Sequence, residues 1–575
     1  MTIRIEGGTM AEADARPMGP GASVEQAPSA HVDSFARDRL PPRHLWPAMP
    51  GLEALGYPPR LNAAVALLDD RVAAGEGERT ALIFPDGRWS YRDLMERSNR
   101  IATVLVNELE LRPGNRVLLR GPNTPMLVAA WFGVLKAGGI CVATMPLLRA
   151  REIGAVVETA AVSLALCDSR VVQDCARSRD ECGLPERIVE FQSEDPGGLE
   201  ARMAEASPVF ESVPTAADDV ALIAFTSGTT GRPKGTMHFH RDLLAVCDTY
   251  ARHVLRLTPN DVCCGSPPLA FTFGLGGLVL FPLRVGAASL LLEQATPPHL
   301  LEGIARHRAT VSFTAPTAYR AMAGLLQGMD IDSLRVCVSA GEHLPAATFE
   351  QWRQATGIEL LDGIGSTEML HIFIGSPAGE VRAGSTGRAV PGYRARVVDD
   401  DGREVPPDAV GHLAVQGPTG CRYLADEERQ RAYVRDGWNY PGDAYRRDAE
   451  GYFWYQARTD DMIVSAGYKI PGPEVEAALL EHPAVAECGV VGLPDDERGQ
   501  RVAAFIVLRD GYRGDAATRL ALQNFVKAQI APYKYPRTIE FVAALPRTQT
   551  GKLQRYRLRG ASANSTRPGE DAGGR

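Results

Sequence analysis

Seven short apolar runs, at residues 81–84, 116–119, 163–167, 220–226, 289–292, 310–314 and 336–340, alternate with helical stretches. This alternation limits the chain to layered α/β architecture, because strands reconnected through helices run parallel and have both faces covered. The stretch 126–137, for example, follows Pro125 and stops at Gly138 and Gly139, the residues that open and close a helix. From about 385 to 457 the pattern changes to short strands, at 393–398 and 412–416, with Gly, Pro and Asp turns such as 399–402. That change predicts an antiparallel β-subdomain. After Arg458 come a helix at 473–481, strands at 486–491 and 501–508, a helix at 516–530 and a strand at 538–541, which read as an α+β unit. The expected fold class is α/β, with a large N-terminal domain of layered α/β subdomains, parallel-type sheets and a small β-subdomain, followed by a small α+β C-terminal domain.

The run 220–225 leads into Thr226, Ser227, Gly228, Thr229, Thr230, Gly231, Arg232, Pro233, Lys234 and Gly235, and a helical pattern starts near His240. A loop of glycines and hydroxyls with one Lys, between a strand and a helix, suits a polyphosphate. Its backbone approaches closely, its N–H groups and hydroxyls donate, and the Lys adds a point charge. A Walker loop is excluded, because position 233 is Pro and position 235, after Lys234, is Gly. Taken alone, the stretch also reads as a flexible surface loop.

Composition narrows the function. Hydrophobic content of 45%, charged content of 23% and a net charge of −8 belong to a globular chain with no broad basic surface, which argues against nucleic acid as a partner. The ten Cys are scattered without a C-x-x-C, so neither a zinc set nor a disulfide framework is expected. No apolar run reaches the roughly 20 residues of a membrane span, and a reduced, cytoplasmic enzyme is expected. Of 62 basic residues only six are Lys, at 136, 234, 469, 527, 534 and 552. Arg serves wherever generic positive charge suffices, so Lys234 and Lys552, each in a Gly/Thr loop, look chosen for a compact flexible charge.

Five further motifs follow the loop. They are Ser339–Glu342, the stretch 362–368 (Asp-Gly-Ile-Gly-Ser-Thr-Glu), 440–443 ending in Asp443, 458–469 running from Arg458 through Asp460 to Gly467, Tyr468 and Lys469, and 546–552 ending in Lys552. Their order and spacing over roughly residues 50–558 resemble the adenylate-forming superfamily of acyl-CoA synthetases, luciferases and peptide-synthetase adenylation domains. The strings 363–373 and 384–393 look most like benzoate-type aryl-CoA ligases, and 31–38 with 40–42 look like the 2-aminobenzoate-CoA ligase branch.

The resemblance implies a large AMP-binding domain at 36–457, a hinge at 458–463 about Asp460, and a small mobile C-terminal domain at 464–559. Tails without structure are expected at 1–35 and 560–575. ATP, Mg²⁺ and coenzyme A are the implied co-substrates and cofactor. The implied nucleotide contacts are Thr226, Ser227, Gly228, Thr229, Thr230, Gly231 and Lys234 at the phosphates, Ala340, Gly341, Glu342, Asp362, Gly363, Ile364, Gly365, Ser366 and Thr367 around the adenine and its surroundings, Asp443 at the ribose hydroxyls, and Arg458 at ribose or phosphate. Thr230 and Glu368 are the implied Mg²⁺ contacts, since a hard cation takes oxygen ligands. Glu368 also reads as a carboxylate at a helix start, and Asp443 and Asp460 as turn residues. Lys552, with Lys234 and Glu368, is the implied catalytic group: an ammonium bridging substrate carboxylate and α-phosphate holds two anions in line. Gly467, Tyr468 and Lys469 are implied for the pantetheine path of CoA.

For the acid, residues 269–277 form an implied pocket wall. Where α-amino-acid adenylation domains carry Asp, this chain has Phe271, Thr272 and Phe273. Phe273 beside Ala315, Ala340, Gly341 and Ile364 predicts a flat apolar slot for an aromatic carboxylic acid, with Thr272 as a contact for a ring amine or hydroxyl. His371 either faces a ring substituent or is a packed histidine with a backbone partner. His238 and His240 read as residues opening a helix rather than as a metal pair, because i and i+2 do not share a helix face. The expected activity is an ATP-dependent aryl-CoA ligase. A stand-alone enzyme loading a carrier protein and a nucleotide-binding regulator remain open, as does monomer against homodimer.

Overall fold

The computed structural model describes residues 27–226, 233–465, 468–495, 498–530, 532–547 and 553–559; the side chains of Asp460, Val464, Tyr468 and Lys469 lie outside that description. Two largely parallel sheets carry the N-terminal part. One has the strand order Arg187–Phe191, Leu164–Asp168, Arg116–Arg120, Ile140–Thr144, Val220–Thr226 and Lys234–Phe239, parallel except for the last pair. The other has nine strands, six of them parallel and in the order Leu360–Gly365, Val336–Ala340, Val311–Thr314, Val262–Gly265, Ala288–Leu290 and Thr80–Phe84, with antiparallel strands at both edges. All seven runs read from the sequence lie in these sheets, with ends displaced by two residues at most.

Helices Tyr91–Asn107 and Pro125–Lys136 show why the layers hold. Ser90 and Asp93 form a reciprocal capping box, and Thr124 caps the second helix ahead of Pro125 at its first turn. The second helix is apolar on all sides and entirely buried, as an all-round hydrophobic helix must be. A Cβ on its Gly133 would lie 2.6 Å from Ile101 Cγ2 of the first helix, so only glycine allows this approach.

The stretch from Arg394 to Arg458 forms the expected antiparallel sheet, with strands Val434–Arg435, Trp438–Asn439, Val410–Gln416, Asp443–Arg447 and Phe453–Arg458 in order and Arg394–Val398 on Val410–Gln416. The C-terminal unit has its own sheet, built on the long hairpin Val485–Asp495 and Gly499–Leu508, with helices Gly472–Leu480 and Ala516–Gln529 and a separate apolar core. No helix among the described residues is long and apolar enough to cross a membrane.

Two expectations are corrected. The phosphate-type loop does not run from strand to helix. Residues Lys234–Phe239 form a further strand, antiparallel to Val220–Thr226 with Thr226 opposite Lys234, and the helix His240–Val246 follows it. Residues 235–239 are buried and have neighbours on both sides, because Thr236 also bridges Tyr423. Two-sided pairing overrides a segment that has no strand-like alternation of its own. The unstructured tail expected up to residue 35 is corrected from residue 27 onward. Ser29 Oγ and Ala30 N donate to the two oxygens of Asp219 at 2.5 and 2.9 Å, Asn115 and Arg116 hold Asp33, and Ala36 is fully buried. These anchors lie far away in sequence, and local composition does not register them. Residues 1–26 and 560–575 lie outside the described residues.

Candidate active site

The site assembles where strands of both sheets end. Val336–Ala340 and Leu360–Gly365 are parallel neighbours, with Ser339 opposite Asp362 and Ala340 opposite Gly363, so Gly341–Glu342 and Ile364–Gly365 emerge side by side. Ligands of open α/β sheets bind outside such carboxyl ends. Asp362 is buried, and desolvation pushes its carboxyl up to about 8, so it is largely neutral at neutral pH.

After Gly365 the chain turns sharply. Met369 N and Leu370 N donate to the carbonyls of Ser366 and Thr367, and the chain returns antiparallel as Ile372–Gly375. Glu368 therefore sits in a turn, and the helix-start alternative does not apply. Tyr423 Oη donates to Glu368 Oε1 at 2.6 Å, and no described residue donates to the second oxygen of this partly exposed carboxylate. The oxygen left open is of the kind a hard cation takes. The carbonyl of Thr367 meets His238 Nε2 at 2.8 Å, and Ser366 Oγ lies 3.2 Å from Tyr433 Oη.

Lys234, half-buried, opens the strand that carries His238. Ser227, Gly228, Thr229, Thr230 and Gly231 lie outside the described residues, whereas their flanks Thr226 and Lys234 pair directly. His238 and His240 do not form a metal pair. The first is on a strand against Thr367, and the second opens a helix with its Nδ1 accepting from Ala63 N at 3.1 Å. Burial pushes them down to about 4 and about 3 respectively. Among the described residues no group of three or more His, Cys, Asp or Glu is placed to hold a metal ion.

Asp443 and Arg458 lie opposite each other on paired strands. Arg458 Nη1 donates to Asp443 Oδ2 at 3.1 Å and to the carbonyl of Pro441 at 2.9 Å. The turn leading into Asp443 needs Gly442, whose φ is 84° and whose Cβ would lie 2.8 Å from the Arg458 guanidinium.

On the other side of the acidic turn, His371 is buried among aromatic rings. Its ring centroid is 4.5 Å from that of Phe281, edge-on, and 5.7 Å from those of Phe273 and Tyr250; Phe273 in turn meets Phe313 at 6.0 Å. Among the described residues neither imidazole nitrogen makes a well-formed hydrogen bond, the backbone of Phe273 being the polar group that faces the ring, and burial pushes the ring down to about 3, so it is neutral. A Cβ at Gly276 would lie 2.3 Å from His371 Cδ2, which shows how closely the backbone of 272–277 covers the ring. Thr272, Phe273, Ala315 and Ile364 are half-buried and Gly341 is exposed, an open rim above this buried floor.

The C-terminal unit reaches the same place. Arg547 Nη1 donates to Glu342 Oε1 at 3.2 Å, and Nη2 to Glu487 Oε2 at 2.7 Å. Arg547 pairs with Leu553, and Gln554 N donates to the carbonyl of Pro546, so the residues on either side of 548–552 are paired. Lys552 itself lies outside the described residues, as does Gly467; Tyr468 and Lys469 contribute backbone to the strand Tyr468–Ile470, and Asp460 lies in the short turn Thr459–Asp461.

Reading the sequence missed Tyr423, Gln430, Tyr433, Tyr250 and Arg547. Only Arg547 stood within a recognised motif; the others have no signature short of the contacts themselves.

Comparison with known proteins agrees with this geometry. Residues 69–423 match the model of the AMP-binding enzyme family, and 474–552 match that of the AMP-binding enzyme C-terminal domain. The chain is 38% identical over 519 residues to a benzoate–CoA ligase of Thauera aromatica, covering 88% of this chain and 97% of that one. The anthranilate CoA ligase AuaEII, solved with anthranoyl-AMP, superposes with a TM-score of 0.84 at 34% identity over 89% of this chain and 99% of that one. A benzoate CoA ligase from Burkholderia xenovorans LB400 gives a TM-score of 0.79 at 34% identity over 87% and 100%. The order of motifs, the converging strand ends and these likenesses lead to one conclusion: this chain belongs to the AMP-binding enzyme family.

Proposed function

We propose that the chain is an ATP-dependent aryl-CoA ligase acting on an aromatic carboxylic acid of the 2-aminobenzoate or benzoate type. The observation that carries this reading is the junction at the acidic turn. Within four residues the chain passes from Glu368, a carboxylate with one open oxygen, to His371, a neutral ring walled by Phe273 and Phe281. A charged nucleotide end and an apolar aromatic end thus adjoin, as joining an aryl acid to an adenylate requires.

In the first half-reaction a carboxylate oxygen of the acid attacks the α-phosphorus of ATP. The bond to pyrophosphate breaks, and an acyl-adenylate forms. Lys552 is assigned the charge bridging the two anions, loop 226–235 the β- and γ-phosphates, Asp443 the ribose hydroxyls, and Arg458 support at that end. Thr230 and Glu368 would hold Mg²⁺, which when bound offsets phosphate charge. In the second half-reaction the thiol of coenzyme A attacks the acyl carbon, loses its proton, and AMP leaves. The domain limits 36–457 and 464–559, with the hinge at 458–463, belong to this reading, as does the path for pantetheine past Gly467, Tyr468 and Lys469. The likeness to ligases of benzoate and anthranilate supports the aromatic class, and the apolar rim Phe273, Ala315 and Ile364 supports it independently.

The test is CoA-dependent AMP release over benzoate, 2-aminobenzoate, hydroxybenzoates, phenylacetate and hexanoate. A benzoate should lead. Preference for hexanoate would overturn the aryl pocket, and acyl-adenylate formation without consumption of free CoA would point to a carrier-protein acceptor.

A further inference from the structure

The bond between Tyr423 and Glu368 spans 55 residues and joins a buried phenol to a partly exposed carboxylate. Every part of Tyr423 is held. Its N–H donates to Gln430 Oε1 at 2.9 Å, its ring meets Tyr433 edge-on at 5.8 Å, and its backbone bridges Thr236. Met237 N donates to the carbonyl of Arg422, and Leu424 N donates to that of Gly235, so the segment runs as an added edge beside the strand that begins at Lys234.

Gln430 is fully buried and fully used. Its Nε2 donates to the carbonyls of Leu45 and Cys421 at 2.9 and 3.0 Å, while Oε1 accepts from Tyr423 N. A chain of bonds thus runs from Leu45 in the N-terminal segment through Gln430 and Tyr423 to Glu368. A free glutamate side chain loses rotamer entropy when it is fixed. Here the loss is met on folding, because one oxygen is already committed to a buried phenol held by its own contacts. An ordinary phenol keeps its proton at neutral pH, so Tyr423 is the donor and the carboxylate the acceptor.

We propose that Tyr423 is the positioning residue of the metal-binding carboxylate. It pins Oε1 of Glu368 so that the remaining oxygen is presented to the cation, and it ties that carboxylate to the strand leaving the phosphate loop. This rests on the reading of Glu368 as a Mg²⁺ contact. Partners that orient a ligating carboxylate typically change metal affinity by about 10–100-fold when removed.

The experiment compares full-length wild type with Tyr423→Phe, Tyr433→Phe and Glu368→Gln. ATP affinity is measured by calorimetry with and without Mg²⁺, alongside thermal melting. Tyr423→Phe removes one oxygen and keeps the ring. It should cut the Mg²⁺-dependent gain in ATP affinity by about tenfold, while metal-free ATP affinity and the melting temperature stay near wild type. Tyr433→Phe, which loses the contact to Ser366 and leaves the bond from Tyr423 to Glu368 in place, should keep the gain. The proposal is overturned if Tyr423→Phe keeps the full gain while Glu368→Gln loses it, or if Tyr433→Phe loses as much as Tyr423→Phe. If Glu368→Gln keeps the full gain, the metal reading of Glu368 falls first and the proposal falls with it.

Discussion

Arg547 of the C-terminal unit donates to Glu342 at the end of a central strand of the N-terminal body, 205 residues earlier in the chain. The same guanidinium holds Glu487, which in turn lies 3.8 Å from Arg320 of the body. Charge thus alternates across the interface from Arg320 to Glu487, Arg547 and Glu342. The paired residues Arg547 and Leu553, which flank the stretch 548–552, are thereby seated at the strand ends assigned to the nucleotide.

Removing this seat should slow the first half-reaction selectively. Arg547→Ala is expected to reduce adenylation by about tenfold, as loss of a partly exposed interfacial charge pair does. Thioester formation from supplied acyl-adenylate should change less. Pyrophosphate release and acyl transfer, assayed separately, check it; equal losses in both would remove the seating role.

Lys552→Ala should cut adenylation on the order of 10²–10³-fold, the cost of one preorganised charge donor. Transfer from supplied acyl-adenylate should survive much better. A parallel fall in both half-reactions would rule out the assigned role.

Asp443→Ala should raise the KM for ATP by roughly 10–100-fold, since a hydrogen bond to a charged group contributes about 1.5–3 kcal/mol. The same variant should discriminate little between ATP and 2′-deoxy-ATP. An unchanged KM with a lowered kcat would contradict a role at the ribose.

Asp460→Pro should separate the half-reactions, because proline restricts φ at the point where the cap would turn. One half-reaction should remain near wild type and the other should drop by at least tenfold. If neither rate changes, the hinge is elsewhere.

Stability should fall as pH drops below about 6.5. His238, His240 and His371 are held neutral by burial, at about 4, 3 and 3, whereas in the unfolded chain they protonate near 6.5. The unfolded state therefore takes up more protons in that window, and each ring removes up to about 1.4 kcal/mol per pH unit. Asp362 acts in the opposite sense: raised to about 8, it stabilises below the unfolded carboxylate value and loses that contribution as pH rises toward 8. Three imidazoles outweigh one carboxyl, so the melting temperature should decline from pH 6.5 to 5. A flat or rising profile would contradict the neutral rings.

Much of the fold was legible because burial and turn chemistry leave local traces. The runs at 220–226 and 336–340 coincide with strands Val220–Thr226 and Val336–Ala340, and 538–541 with Thr538–Phe541. Residues 234–239 were misread because that strand is buried between two neighbours and shows no alternation. The tail was misread because Ser29, Asp33 and Ala36 are held by residues far along the chain. At the candidate site, Glu368, Asp443 and Arg458 stand within motifs visible in the sequence, whereas Tyr423, which contacts Glu368, has no such local mark.

Sequence by itself determined the α/β layering, the separate C-terminal unit and the order of motifs that places this chain among AMP-binding enzymes. Those depend on patterns within about ten residues, where periodicity, caps and glycine-rich turns act directly. Only the tertiary structure decided that Glu368 answers to Tyr423, that Gln430 reaches Leu45 across 385 residues, and that His371 sits neutral among rings. Such relations arise when distant segments exclude water together, and no local pattern records which distant partner will do so.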